Sequence, residues 1–193
     1  MSELICTIIA GPNGAGKTTF ALEYLSRTST CNRFINADLI ASGLSPLSPE
    51  SEQMKASRLF LKEIKEAINN QECFAFETTL SGKMYIRLIK QLQAKGWVVN
   101  LIYLYLPSVQ VSIERVAERV KHGGHNIPTE SILRRYPRSL KNLIELYSPL
   151  CDTTVCIDNA GELQKIIFTQ ELNSRAIQDK QSYQELLAGI PND

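Results

Sequence analysis

A three-layer, doubly wound α/β fold with a mostly parallel sheet is the class this sequence predicts, and three observations predict it. Short apolar runs alternate along the chain with segments of helical periodicity, the pattern of parallel strands joined by crossover helices. The first run passes directly into a glycine-rich loop, and a helical segment follows at once. The length of 193 residues, with 44% hydrophobic and 21% charged side chains, suits a single domain that covers a sheet on both faces.

The elements follow in order. Leu4–Ala10 (LICTIIA) reads as the first strand and Lys17–Ser26 as a helix. Arg33–Asn36 is a second strand that ends at Ala37-Asp38. Residues 42–49 (SGLSPLSP) read as a loop, closed by Ser48-Pro49-Glu50 as N-cap, first-turn proline and first-turn acid. The helix opened there carries Phe60, Leu61, Ile64, Ala67 and Ile68 on one stripe. Cys73–Phe76 is a third strand with Glu77 at its carboxyl end, a helix spans about 83–94, and Gly96 leads into a strand at Val98–Leu106. Ser108–Lys121 is helical, with Val109, Ile113, Val116 and Val120 facing the core, and residues 122–128 (HGGHNIP) break it. A helix from Thr129 carries Ile132, Tyr136, Leu140, Ile144 and Tyr147, and Pro137 should kink it. Thr153–Asp158 is a fifth strand, Gln164–Thr169 reads as an antiparallel edge strand, and a polar helix covers 180–188.

Composition removes several functions. The 21 basic and 20 acidic side chains nearly cancel, so nothing in the charge argues for nucleic acid or an anionic membrane as main partner. No apolar run reaches the roughly 18–20 residues of a bilayer span, and no basic segment precedes the first apolar run, so neither a membrane helix nor a signal peptide is expected. Cys6, Cys31, Cys73, Cys151 and Cys156 are odd in number, form no C-x-x-C pair and mostly lie in or beside apolar stretches. They read as reduced, buried thiols of a cytoplasmic protein.

The strongest signal is GPNGAGKT at 11–18, in which Gly11, Gly16, Lys17 and Thr18 satisfy G-x-x-x-x-G-K-[ST]. Glycines let successive N–H groups point inward around an anion, and the helix opening at Gly16–Lys17 aims its positive end at the same place. Gly11, Pro12, Asn13, Gly14, Ala15, Gly16, Lys17, Thr18 and Thr19 are therefore the expected ATP cradle. Lys17 would bridge the β- and γ-phosphates, and the Thr18 hydroxyl would ligate Mg²⁺.

In open α/β sheets ligands lie beyond the carboxyl ends of the strands. Asp38 and Glu77 stand there, on strands expected to neighbour the first. Phosphoryl transfer needs a carboxylate to accept the proton of the attacking hydroxyl. Asp38 is the candidate base, against the alternative that it caps the segment Leu39–Ser42. Glu77 is a candidate substrate or magnesium-shell ligand, against a solvated strand end. Asp158, before Asn159 and Gly161, reads as a turn residue.

Five arginines, Arg115, Arg119, Arg134, Arg135 and Arg138, cluster between 115 and 138. Arg115 and Arg119 share a helix face, as do Arg134 and Arg138 with Lys141 close by. Two cationic faces flanking Gly123-Gly124 suit a lid over about 115–138 that neutralises the transferring group and excludes water. The alternative is a pair of solvated helix faces. His122 and His125 read as loop residues shaping that lid.

GPNGAGKTTF (11–20), FINADLIA (34–41), FETTLSG (76–82) and the segment Arg115–Arg138 together resemble the zeta toxins, P-loop kinases of toxin–antitoxin systems, over roughly residues 5–158. The segment GGHNIPTESILRRYPRSLKNL marks a compact branch. The resemblance implies transfer of the ATP γ-phosphate to a hydroxyl of UDP-N-acetylglucosamine or a related sugar nucleotide, and an antitoxin protein as possible partner. It also implies Asp38 as base, Glu77 and Thr78 at the acceptor, and Arg119 and Arg134 as the best matches for arginines on the transferred group. A kinase of another small metabolite or nucleotide, an ATP-gated binding protein and a nucleic-acid end kinase remain as alternatives.

Overall fold

The computed structural model describes residues 3–28, 31, 33–124, 126–161, 163–172 and 174–191. β1 (Ile5–Ala10) runs through the glycine-rich loop into α1 (Lys17–Arg27), and β2 (Arg33–Ile35) runs into α2 (Ala37–Leu44). A single 3₁₀ turn (Pro49–Glu52) opens α3 (Gln53–Asn69). β3 (Phe74–Thr78) is followed by α4 (Tyr85–Gln93) and β4 (Val98–Tyr105) by α5 (Val109–Lys121). Then come α6 (Thr129–Asn142), a π turn (Leu143–Tyr147), β5 (Thr153–Asp158), β6 (Lys165–Glu171), β7 (Ser174–Ile177) and α7 (Lys180–Ala188).

Among the described residues these seven strands form one sheet in the order β2-β3-β1-β4-β5-β6-β7. β1 is central and parallel to both β3 and β4. β2 pairs parallel with the outer side of β3, and β5 with the outer side of β4. β6 and β7 continue the sheet antiparallel. The expected doubly wound α/β class is the observed one.

The interior strands are buried almost throughout, as strands with helices on both faces must be. Phe76 meets Phe60 of α3 edge-on at 6.0 Å, and Phe74 meets Trp97 at 5.6 Å. These are the offset geometries that ring quadrupoles favour.

Four local expectations are corrected. α2 extends to Leu44 across the start of the expected loop, stopping where Pro46 forbids continuation. β2 does not touch β1, because β3 lies between them. β6 is not the edge; the four-residue strand Ser174–Ile177, too short and polar to show in the hydrophobic pattern, pairs outside it. Leu61 and Val120 lie toward solvent, while Phe60, Ile64, Ala67 and Val116 carry the buried stripes. α6 runs through Pro137 without ending.

The loop after β1 depends on a residue without a side chain. Gly11 has φ +146°, and a Cβ there would collide with the Leu104 carbonyl of β4. Gly11→Ala should therefore lower the unfolding free energy by at least about 2 kcal/mol, through strain and backbone displacement together. A urea titration of both proteins checks it.

Candidate active site

The phosphate cradle is built from backbone groups whose outward contacts are taken. Gly16, in a left-handed conformation at φ 77°, is the N-cap of α1 and offers no side-chain cap. The first-turn N–H groups of α1 have no intrahelical acceptors by geometry, so an anion is their natural partner. The loop carbonyls are held from elsewhere. Pro12 O accepts from Lys17 Nζ at 3.0 Å, Asn13 O accepts from the buried Ser112 hydroxyl, and Ala15 O accepts from Asn159 Nδ2 at 2.8 Å.

Glu77 is the node of the site. Its Oε2 accepts from the Thr18 hydroxyl at 2.7 Å and from Asn36 Nδ2 at 2.6 Å, and its Oε1 lies 3.6 Å from Lys17 Nζ. Asn36 Nδ2 also lies 3.3 Å from Thr18 Oγ1. Burial pushes the Lys17 ammonium below the ordinary lysine range. The Glu77 carboxylate and then Asp38 oppose that shift, and Arg119 adds to it.

Asn36 caps α2. Its Oδ1 accepts from Asp38 N at 2.8 Å and Leu39 N at 3.1 Å. The capping role considered for Asp38 therefore belongs to Asn36. Asp38 sits in the first turn of α2 and lines, with Lys17, Glu77, Thr78 and Arg119, a cavity of about 570 Å³.

The arginines divide. Arg119 of α5 and Arg135 of α6 line the cavity. Arg134 does not line it; it is exposed. The reason is helical phase. Ile132, Tyr136 and Leu140 define the buried side of α6. At about 100° per residue Arg134 points away from that side, whereas Arg135 stands on its flank. Arg115 is occupied, donating to the Asn159 and Ala160 carbonyls at 2.8 and 2.6 Å. Arg138 is exposed. Lys141 lies 3.7 Å from Glu145, and His122 is exposed at the end of α5 with Nδ1 3.0 Å from Glu118 O. His125 lies outside the described residues. Asp158 accepts from Ala160 N at 2.9 Å, a turn contact.

The Thr18 hydroxyl and Glu77 carboxylate form a hard oxygen pair of the kind Mg²⁺ takes, directly or through water, together with phosphate oxygens. The residues present fit that ion.

Residues 47–173, more than half of the chain, match the zeta toxin family model. The chain belongs to the zeta toxin family. The matched segment holds Glu77, Thr78 and both arginine-bearing helices; the glycine-rich loop and Asp38 precede it. An uncharacterized protein of Haemophilus influenzae is 32% identical over 126 residues, 65% of this chain and 88% of that protein. The crystal structure of AvrRxo1-ORF1:-ORF2 with ATP superposes with a TM-score of 0.75 at 15% identity. All of this chain is covered, and it spans 66% of that one. The PezAT chromosomal toxin–antitoxin system of Streptococcus pneumoniae gives 0.64 at 16% identity over 98% of this chain and 85% of the other. At such identities the likeness is one of fold alone.

The cavity is also lined by Asn36, Thr79 and Ser81, which sequence reasoning did not single out, and by Arg135, which it named only as one of five clustered arginines. Two signals were present. Asn36 stands two residues before Asp38 at the start of a helix, the position of a capping amide. The apolar phase of α6 points to Arg135.

Asn36→Asp retains a capping oxygen but sets a carboxylate against Glu77. It should cost about 1–3 kcal/mol at neutral pH. The crowded pair would hold a proton more tightly folded than unfolded, so the folded state binds the extra proton and the deficit should shrink as pH falls toward 5. Denaturation of both proteins at pH 7 and pH 5 measures it.

Proposed function

We propose that this zeta-family chain is an ATP-dependent phosphotransferase of the cytoplasm. It moves the γ-phosphate to a hydroxyl of a small molecule, of the UDP-N-acetylglucosamine type, and an antitoxin protein restrains it. The observation that carries the reading is the placing of Lys17 and Asp38 on one cavity, with Glu77 on Thr18 between them.

The chemistry follows from those positions. Lys17 and the first-turn N–H groups of α1 hold the phosphate oxygens and orient the chain of phosphates along the loop. Asp38 accepts the proton of the attacking hydroxyl as its oxygen bonds to the γ-phosphorus. The bond from that phosphorus to the β–γ bridging oxygen breaks, and ADP leaves with the electron pair. Arg119 and Arg135 line the cavity, and in this reading their guanidinium groups meet the charge on the transferred group. Mg²⁺, when bound at Thr18 and Glu77, neutralises phosphate charge. A carboxylate facing the buried lysine across the cavity favours chemistry over ATP-gated binding, which needs no proton acceptor. Fold likeness to the PezAT toxin–antitoxin system and membership of the zeta toxins support the antitoxin partner.

Transfer of labelled γ-phosphate to UDP-N-acetylglucosamine, beside a panel of nucleosides and other sugar nucleotides, tests the reading. Lys17→Ala should reduce transfer by about 10³-fold with the fold intact. Asp38→Asn should leave ATP affinity nearly unchanged and slow transfer by about 10²–10⁴-fold. ATP-dependent transfer that survives within tenfold in both variants would remove the assignment.

The arginines give a sharper comparison. Arg135→Ala should lower kcat/KM by at least about tenfold, equivalent to about 1.4 kcal/mol of transition-state stabilisation. Arg134→Ala should stay within about twofold, the behaviour of a solvated surface charge. Steady-state kinetics of the two variants side by side decides which arginine serves the site.

A further inference from the structure

We propose that Ser139, Asn142 and Tyr147 are positioning residues for the acceptor. They form a three-point clamp, spanning the junction of α6 and the π turn, that holds the loop 79–82 in the shape presenting its hydroxyls to the cavity. The acceptor role rests on the kinase reading above; the clamp itself does not.

Three donors reach three carbonyls of this loop. Ser139 Oγ donates to Thr79 O at 2.6 Å, Asn142 Nδ2 to Leu80 O at 2.7 Å, and Tyr147 OH to Gly82 O at 2.7 Å. Ser139 is itself steadied by the Tyr103 hydroxyl, 2.7 Å away. All three clamp residues are buried, so each donor is aimed at backbone and not at water.

The π turn sharpens the alignment. Ser139 and Asn142 are three apart and share a face of α6. In a regular α-helix Tyr147, eight residues on from Ser139, would lie about 80° round from it. The bond from Ser148 N to Leu143 O, five residues back at 2.9 Å, widens this turn by one residue and returns Tyr147 to the same side. π turns of this kind gather at functional sites.

The clamped loop carries a backbone outlier. Leu80 has φ +57° although it is fully buried and has a Cβ. Such conformations persist where the surroundings over-determine them, and they cluster at sites. Here the Leu80 carbonyl is held by Asn142, and its N–H donates to Thr78 Oγ1 at 3.1 Å. Buried loop carbonyls need donors for stability alone; what is particular here is that all three are met from one helix and the turn that follows it. Because the carbonyls are met from α6 and the π turn, the hydroxyls of Thr79 and Ser81, 3.0 Å apart, stand on the cavity wall. Ser131 and Arg135 of the same helix line the cavity as well. One helix thus sets two parts of the wall, and an array of hydroxyls beside a guanidinium suits a polyhydroxylated, anionic acceptor.

The test uses the whole chain with Tyr147→Phe, Ser139→Ala and the double variant, and with Ser139→Thr, which keeps the donor. In the double variant the KM for UDP-N-acetylglucosamine should rise at least tenfold while the ATP dissociation constant stays within twofold. Amide exchange over 79–83 should quicken at least tenfold while β1 and α1 remain unchanged. Ser139→Thr should keep KM within threefold of wild type. Should Ser139→Ala not fold, Tyr147→Phe alone removes one buried oxygen and should still raise KM about threefold. Unchanged exchange overturns the clamp whatever the acceptor is. Quickened exchange with an unchanged acceptor KM overturns the positioning role. A wild-type protein that phosphorylates no sugar nucleotide at all removes that acceptor class and the acceptor role with it, and the failure then appears in the wild type and not in the variants.

Discussion

The carboxylate of Glu77 is the contact on which the site depends. It stands one residue before the end of β3, and it is met by Lys17 and Thr18 from the start of α1 and by Asn36 from the start of α2. Three strand–helix junctions therefore converge on one anion. The geometry is a consequence of strand order, since β3 lies between β1 and β2 and carries its terminal acid between the other two strand ends. Burying that acid without partners would be costly. Pairing it with an ammonium, a hydroxyl and an amide makes burial tolerable and fixes the separation of the cradle from Asp38.

The same pairing keeps the site electrostatically poised. Lys17 is almost wholly buried, and burial alone drives a lysine toward its neutral form. The carboxylates of Glu77 and Asp38 pull the other way. A polyphosphate entering the cavity brings further negative charge to the ammonium, which strengthens the charged state that binding requires. Arg119 works against Lys17 in the bare protein because like charges share the cavity. An anion between them turns that repulsion into two attractions, so ligand and guanidinium stabilise each other.

What the sequence made legible, and what it did not, divides along a physical line. The glycine-rich loop, Glu77 near the end of its strand and the alternation of elements are local or periodic features, and they stand as read; Asp38, expected at a strand end, lies instead in the first turn of α2. β5 falls on Thr153–Asp158, the span expected for it. Strand order was not local, so β2 was set beside β1 although β3 intervenes. The pairing of Arg134 with Arg138 by spacing alone ignored the phase of Ile132, Tyr136 and Leu140, which turns both outward. β7 is four residues of mostly exposed polar chain, held by pairing with β6 and without any apolar pattern of its own. Asn36 was passed over because it was read as the last residue of the second strand, with Asp38 considered as the cap instead. Its second contact, to Glu77, spans 41 residues of sequence.

Long-range contacts also decide what part of the arginine segment is free to move. α5 is tied to the cradle by Ser112 on Asn13 and to the end of β5 by both outer nitrogens of Arg115. α6 is tied to the sheet edge of the site by Tyr136 on Leu106 O at 2.7 Å and by the bonds to the loop 79–82. Hydrogen bonds from a guanidinium contribute about 1.5–3 kcal/mol each, and a buried neutral donor left unpaired costs about 1–3 kcal/mol. Swinging residues 115–138 as one body would break the two Arg115 bonds and the Tyr136 bond together. In the connection between the helices Gly123 has φ +80° with nothing within 4 Å of an added Cβ, whereas a Cβ on Gly124 would meet the Arg119 side chain. A rotamer change at the cavity wall costs far less than moving a helix held in this way.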